Sequence, residues 1–386
     1  MIASRSLLAD ALLLALTFHA CISNHSSGNQ CTPAHAHTFL TVPAPHPPAM
    51  SKAATIHRLV SDPFKPLLSG PVKRFKWPVL AHTGIADSLV TTHFAPRDFK
   101  DKTVLDINAG VGLISQALVS SPAHRPARIL AFEAEERLRP LIAQYTVPHA
   151  EKHGVRMSVH AADHMAGSAF FDDLRNSPTM LGNGQGSGPD PALVRKWDQE
   201  PVVTLVAALS TKLGDLNVSQ LLRWMGGRAG VHEFGRVPVY IFLCRSFSER
   251  LIARPGDKQY GRLSGLAQAL THVHMLDCKP KGVREFYPFK TEVDLLRLDP
   301  KLDLPFKHCT FEEYEFVLKT LFVNKSIPLK EAIKSLDPTK TSLAKLLPPE
   351  FMDRPLMVMD VPELVQLADA FAQWPLKHEF HEIGSL

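Results

Sequence analysis

At 386 residues the chain is long enough for a filled hydrophobic core and a second domain, and an apolar content of 45% against 21% charged residues excludes a disordered or fibrous class. The net charge of +5 is unevenly spread: residues 245–290 carry nine Lys/Arg against four Asp/Glu, which suits either a polyanionic partner or a solvated basic face. Five scattered cysteines without Cys-x-x-Cys, and 19 histidines without His-Glu-x-x-His, indicate neither a disulfide framework nor a metal centre.

In chain order, Leu7 to Phe18 is apolar but too short to span a bilayer, and Asp10 interrupts it, so no stable membrane insertion is expected. Residues 23–49 are rich in Ser, Pro, His and Ala, the composition of a disordered segment. Met50 to Val60 is a second beginning, short, basic, acid-free and amphipathic like an organellar presequence. Translation starting at Met50, or both pieces serving as one mitochondrial leader, are the two expectations here. Pro66 to Asp98 should form a helical entry to the core. Within it Lys73, Arg74 and Lys76 alternate with Phe75 and Trp77 in a basic-aromatic run.

Strands are predicted near 103–107, 127–132, 155–160, 202–208 and 238–244, alternating with helices. That alternation argues an α/β fold with a mostly parallel sheet and helices on both faces. Val104 to Ile107 reads as a buried strand carrying Asp106; Gly110 and Gly112 supply a side-chain-free turn, and Leu113 to Ser120 continues with helical spacing. Strand, glycine turn and helix let a backbone approach a ligand at the helix N-terminus, although an ordinary tight turn has the same pattern. Glu133 ends the second strand, where a carboxylate can accept two ribose hydroxyls, and Asp163 follows the third, suited to an adenine amino group. Each acid alone is more often a helix cap or a solvated charge. Leu181 to Pro191 is a glycine-rich insertion without the Gly-Lys-Ser/Thr close of a phosphate loop. Beyond Pro288 the sequence turns helical and acidic. Thr310 and Glu313 have capping-box spacing, and helices are predicted at 311–322, 328–336, 341–347 and 361–373.

Tyr240 to Gln268 contains Glu249-Arg250, then Ala253-Arg-Pro-Gly-Asp-Lys-Gln-Tyr-Gly-Arg-Leu-Ser264. This run closely resembles the rRNA adenine N6-dimethyltransferase family, in which Ala-x-Pro-Gly-x-x-x-Tyr-Gly-x-Leu-Ser precedes the sixth strand. Glu285-Phe-Tyr-Pro288 resembles the family's next Phe-x-Pro stretch, and Val317 to Ala372 its C-terminal helices, with Val-Asn-Lys325 at the usual double-basic signature. The resemblance implies a Rossmann-like S-adenosylmethionine-dependent methyltransferase with a mostly parallel seven-stranded sheet and a small C-terminal helical domain. The expected division is a leader over 1–60, the methyltransferase domain over 61–292 and the helical domain over 293–386. S-adenosylmethionine, retained or vestigial, would meet Asp106, Gly110, Gly112, Glu133, Asp163 and Ala208.

Two departures bear on activity. The family's Asn-(Leu/Ile)-Pro-(Tyr/Phe), whose asparagine and aromatic hold a flipped adenine, is replaced at the end of the fourth strand by Ala208-Leu209-Ser210-Thr211. A methyl group can neither accept a hydrogen bond nor stack. Asn108 replaces the family's first glycine and resembles the variant found in fungal mitochondrial transcription factor B, a branch of this superfamily serving mitochondrial RNA polymerase. That likeness implies a matrix protein assisting the polymerase in promoter recognition and melting, with promoter DNA, including single strands, as partner. Arg245, Arg250, Arg254, Lys258 and Arg262, with Lys73, Arg74 and Lys76, are the candidate phosphate contacts, each singly also a solvated cation. The alternatives are an active N6,N6-dimethyltransferase of mitochondrial small-subunit rRNA, and a ribosome-assembly protein without activity.

Overall fold

The computed structural model describes residues 75–161, 181, 189–278, 285–287, 291–337 and 342–377. Lys73, Arg74, Asp163, the Met50 segment and most of the glycine-rich insertion lie outside these.

The chain enters through a two-residue strand β1 (Val79–Leu80) and helix α1 (Thr83–His93), then crosses into β2 (Thr103–Ile107) and α2 (Leu113–Ser120). β3 (Arg128–Phe132), β4 (Arg156–His160), β5 (Val203–Ala208) and α3 (Gly214–Gly226) follow. Next come β6 (Val239–Cys244), α4 (Arg245–Ile252), α5 (Arg262–Leu270), β7 (Thr271–Cys278), β8 (Phe286–Tyr287) and β9 (Val293–Pro300). The C-terminal part holds α6 (Phe311–Leu321) and α7 (Val361–Gln373), joined by short helical turns.

Seven strands form one sheet in the order β4-β3-β2-β5-β6-β9-β7, and β1 pairs with β8 apart from it. The strands from β4 to β6 run parallel, while β9 is antiparallel to both neighbours. β2, β5 and β6 are buried along their whole length, as strands of a sheet covered on both faces should be. α1 turns Ala86, Leu89 and Val90, an i, i+3, i+4 stripe, inward against α2. The expected α/β sheet is therefore present with all five forecast strands within a residue of their predicted limits.

Residues 293–300, expected to open the helical domain, instead form β9 inside the sheet. The change to helix falls at α6, where Thr310 Oγ1 accepts the Glu313 N–H and Glu313 Oε2 accepts the Thr310 N–H, the predicted capping box. Residues 328–336 form a short α-helix followed by a 3₁₀ turn, and among the described residues 342–347 only Ala344–Leu346 is helical. α6 and α7 share one hydrophobic core with β5, β6, β9, α3 and α5, through Tyr314, Leu318, Leu364 and Phe371.

Candidate functional site

Strand order reverses between β2 and β5, and such a switch point opens a crevice beyond the carboxyl ends of parallel strands. Ile107 pairs with Phe132 on one side and with Ala207 on the other, which brings Asn108, Glu133 and Ala208 to this edge. Gly110 (φ +65°) and Gly112 (φ +81°) take left-handed backbone in the turn; a Cβ on Gly110 would meet Val79 Cγ1 at 2.8 Å, and one on Gly112 would meet Thr146 Oγ1 at 2.5 Å. Both glycines are required by conformation and space.

Glu133 is fully buried, and its oxygens accept the Gly110 N–H and the Glu135 N–H, each at 2.8 Å. Burial pushes this carboxyl up to about 8, although the two backbone N–H groups oppose the rise. Asp106 is pushed up to about 6 by burial, against the pull of the Ser115 hydroxyl, which donates to its Oδ2 at 2.5 Å. Asn108 is buried in left-handed backbone (φ +54°). Its Nδ2 donates to the Ala208 carbonyl at 2.6 Å, while its Oδ1 is buried without a hydrogen-bond partner.

The loop after Ala208 is held by its own backbone and side chains. Ser210 N donates to Asn217 Oδ1 at 3.2 Å, and Ser210 Oγ accepts from Lys212 N and Leu213 N. Thr211 N and Oγ1 both donate to the Lys76 carbonyl, at 2.9 and 3.2 Å. Lys76 thus sits at the rim of the crevice with its side chain exposed. Phe75 and Trp77, predicted as stacking surfaces, are instead core residues, 6% and 5% exposed. Apolar contacts around β1 and β8, including Phe75 on Tyr287 with ring centres 5.5 Å apart, draw them inward.

Of the basic residues forecast in 245–262, Arg250, Lys258 and Arg262 line one groove of about 640 Å³. Lys319 and Lys325 from the C-terminal part complete it, with Phe322 and Val323 beside them and Asp215 as the one acid in the lining. Arg250 pairs with that Asp215, and Arg262 lies 3.7 Å from Glu315. Arg254 is exposed on an adjoining cavity shared with Lys258 and Gln259. Arg245 departs from the forecast: it is bound to Glu292 at 3.2 Å and to the buried Asp294 at 2.9 Å, so it fastens α4 to β9 and does not face the groove. Lys319 carries no sequence signal, because its place in the groove depends on how α6 docks. Lys325 stood at a signature position, and its Nζ donates to the Lys258 and Tyr260 carbonyls, each at 2.7 Å.

The family model for "Ribosomal RNA adenine dimethylase" matches residues 75–348. A similar relative is "Dimethyladenosine transferase 1, mitochondrial" of Vermamoeba vermiformis, 22% identical, covering 73% of this chain and 86% of that one. "Ribosomal RNA small subunit methyltransferase A" of Xanthobacter autotrophicus is 25% identical over 70% of this chain and 80% of its own length. Among solved structures, a dimethyladenosine transferase from Plasmodium falciparum aligns with a TM-score of 0.51 at 15% identity, covering 79% of this chain and 98% of that one. The sheet is that of S-adenosylmethionine-dependent methyltransferases. With more than two thirds of its length matched, the chain belongs to the ribosomal RNA adenine dimethylase family.

Proposed function

We propose that this chain is a nucleic-acid-binding member of the family that has lost adenine dimethylation and works in the mitochondrial matrix as a transcription factor, assisting mitochondrial RNA polymerase in recognising and melting promoters. The observation that carries the loss is Ala208, whose methyl group stands at the end of β5 beside a loop whose Ser210 and Thr211 are engaged in holding backbone. No amide or aromatic is offered at 208–211 to grip an extruded base. The matrix and the polymerase rest on the presequence-like leader and on the likeness of Asn108 to the transcription-factor branch.

The residues present fit S-adenosylmethionine at the switch point. In its ionised form Glu133 uses one acceptor site on each oxygen for backbone, which leaves one on each for a pair of hydroxyls. Gly110 and Gly112 keep the turn free of side chains, and Asp106 braces α2 through Ser115. The cofactor would supply an activated methyl group; Glu133 and the turn would orient its ribose. In the groove, Arg250, Lys258, Arg262 and Lys319 neutralise phosphates of a separated strand, and Phe322 and Val323 offer apolar contact to its bases.

Run-off transcription from a mitochondrial promoter, with the polymerase alone and with this chain added, tests the proposal. A rise in correctly initiated transcript is expected, and unchanged initiation rejects it. A second reading, an active dimethyltransferase of mitochondrial small-subunit rRNA, is favoured by the intact Asp106, Gly110, Gly112 and Glu133 and by the mitochondrial relative. Labelled methyl transfer to that rRNA should stay at background; turnover comparable to an active relative would establish the second reading.

A further inference from the structure

A second cavity, of about 700 Å³, lies along α7 and shares no lining residue with the basic groove. One side of α7 lines it from Val361 to Gln373, a length of ~18 Å at the helical rise. Val361, Val365 and Ala370 make that wall aliphatic, and Pro305 and Leu346 extend it from outside the helix. Leu346 remains 47% exposed, an apolar side chain left uncovered at the cavity. No Phe, Tyr or Trp is among the described lining residues.

The charged part of the lining is basic. Lys301 is set by its backbone: its N–H donates to the Leu270 carbonyl at 2.8 Å, and its own carbonyl accepts the Trp197 indole N–H at 3.0 Å. Its partly buried ammonium donates to the Gln268 carbonyl at 2.6 Å, and burial draws the group below the usual lysine range. One neutral acceptor leaves two ammonium hydrogens unused. Lys307 and His308 are exposed at the same cavity, and none of these three side chains is in an ion pair among the described residues. Asp369, the carboxyl of the lining, has its Oδ1 taken by the backbone N–H groups of Lys307, His308 and Cys309. An ammonium drawn partly out of water without a counter-charge is costly, and an anion in the cavity offsets that cost.

We propose that this cavity binds an aliphatic anion, a hydrocarbon chain with a carboxylate or phosphate head, the head held by Lys301 and Lys307 and the chain by the side of α7. A nucleotide suits it less, because its base would find no ring to stack on. Two sources carry this chemistry: a free fatty acid and a single-chain lipid phosphate. The site lies apart from the switch point and the groove, so it stands or falls independently of the promoter assay.

Calorimetry on the full chain, with decanoate and decyl phosphate below their micellar concentrations, tests this. At least one should bind, and about tenfold more tightly than decanol, the worth of a charge-assisted hydrogen bond in a sheltered site. Binding of decanoate alone identifies a fatty acid, of decyl phosphate alone a lipid phosphate, and of both the shared chemistry. Lys301→Met, which keeps an apolar stem, should erase the preference for the anion and leave decanol unchanged. Lys307→Ala, at an exposed position where the fold tolerates change, should weaken the anion roughly threefold. Lys319→Ala, in the groove, should leave it unaltered. The proposal is overturned by no binding of either anion, by equal affinity for decanol, or by full anion affinity in both Lys301→Met and Lys307→Ala. A loss in Lys319→Ala matching that in Lys301→Met overturns it too, as does adenosine 5′-monophosphate binding as tightly as decyl phosphate.

Discussion

Glu133 holds its carboxyl in a place closed to water, and that has a consequence for stability. Burial raises its carboxyl to about 8, so the folded chain holds a proton that an unfolded chain, ionising near 4.5, has released. The favourable contribution is complete below about 4.5 and is lost as pH rises through about 8. Glu133→Gln removes the titration, so chemical denaturation should show the variant gaining on the wild type by roughly 1.4 kcal/mol per pH unit across that window, apart from a constant offset. A difference independent of pH would contradict this. The position of Glu133 was readable, since a strand end some twenty residues beyond a glycine turn is a local pattern. The bond of Asn108 to Ala208 was not, because the two are a hundred residues apart in sequence and meet only through the register of β2 on β5.

Among the elements, β9 was misjudged, and the reason is charge. Its Asp294, Arg297 and Asp299 break the apolar run that marks a buried strand, yet each is answered from a distant segment or a neighbour. Asp294 takes Arg245 and the Ser248 hydroxyl, and Arg297 lies 2.9 Å from Asp98 and 2.8 Å from Asp299. The helices were more legible because caps and i, i+3, i+4 stripes are local. Their docking was not. α3 approaches α6 through Gly226, where a Cβ would sit 2.4 Å from Phe311 Cγ. Gly226→Ala should therefore displace that ring and cost about 1–3 kcal/mol in unfolding experiments. Asp369 on α7 is a similar joint: burial alone would raise its carboxyl, but backbone N–H groups of His308 and Cys309, each 2.8 Å away, hold it below the usual range. Asp369→Ala should cost about 1–3 kcal/mol at neutral pH, an effect that shrinks as acid protonates the wild-type group.

At the scale of the whole molecule, α3, the segment from α4 to α5 and the C-terminal helices together make the basic groove, which composition announced only as a basic stretch of sequence. A strand lying in it should bind with a steep dependence on salt. Lys258→Ala and Lys319→Ala should each weaken binding to single strands of any sequence and flatten the plot of log affinity against log salt by about 0.7. Titrations at several salt concentrations measure this, and an unchanged slope would exclude the groove. Thr211 meanwhile grips the main chain at Lys76, just ahead of β1. The entry segment is therefore a latch: a chain shortened to begin at Phe75 should keep these bonds to the β5 loop, whereas one shortened past Trp77 should lose them, so the condition of the front of the fold would be felt at the crevice.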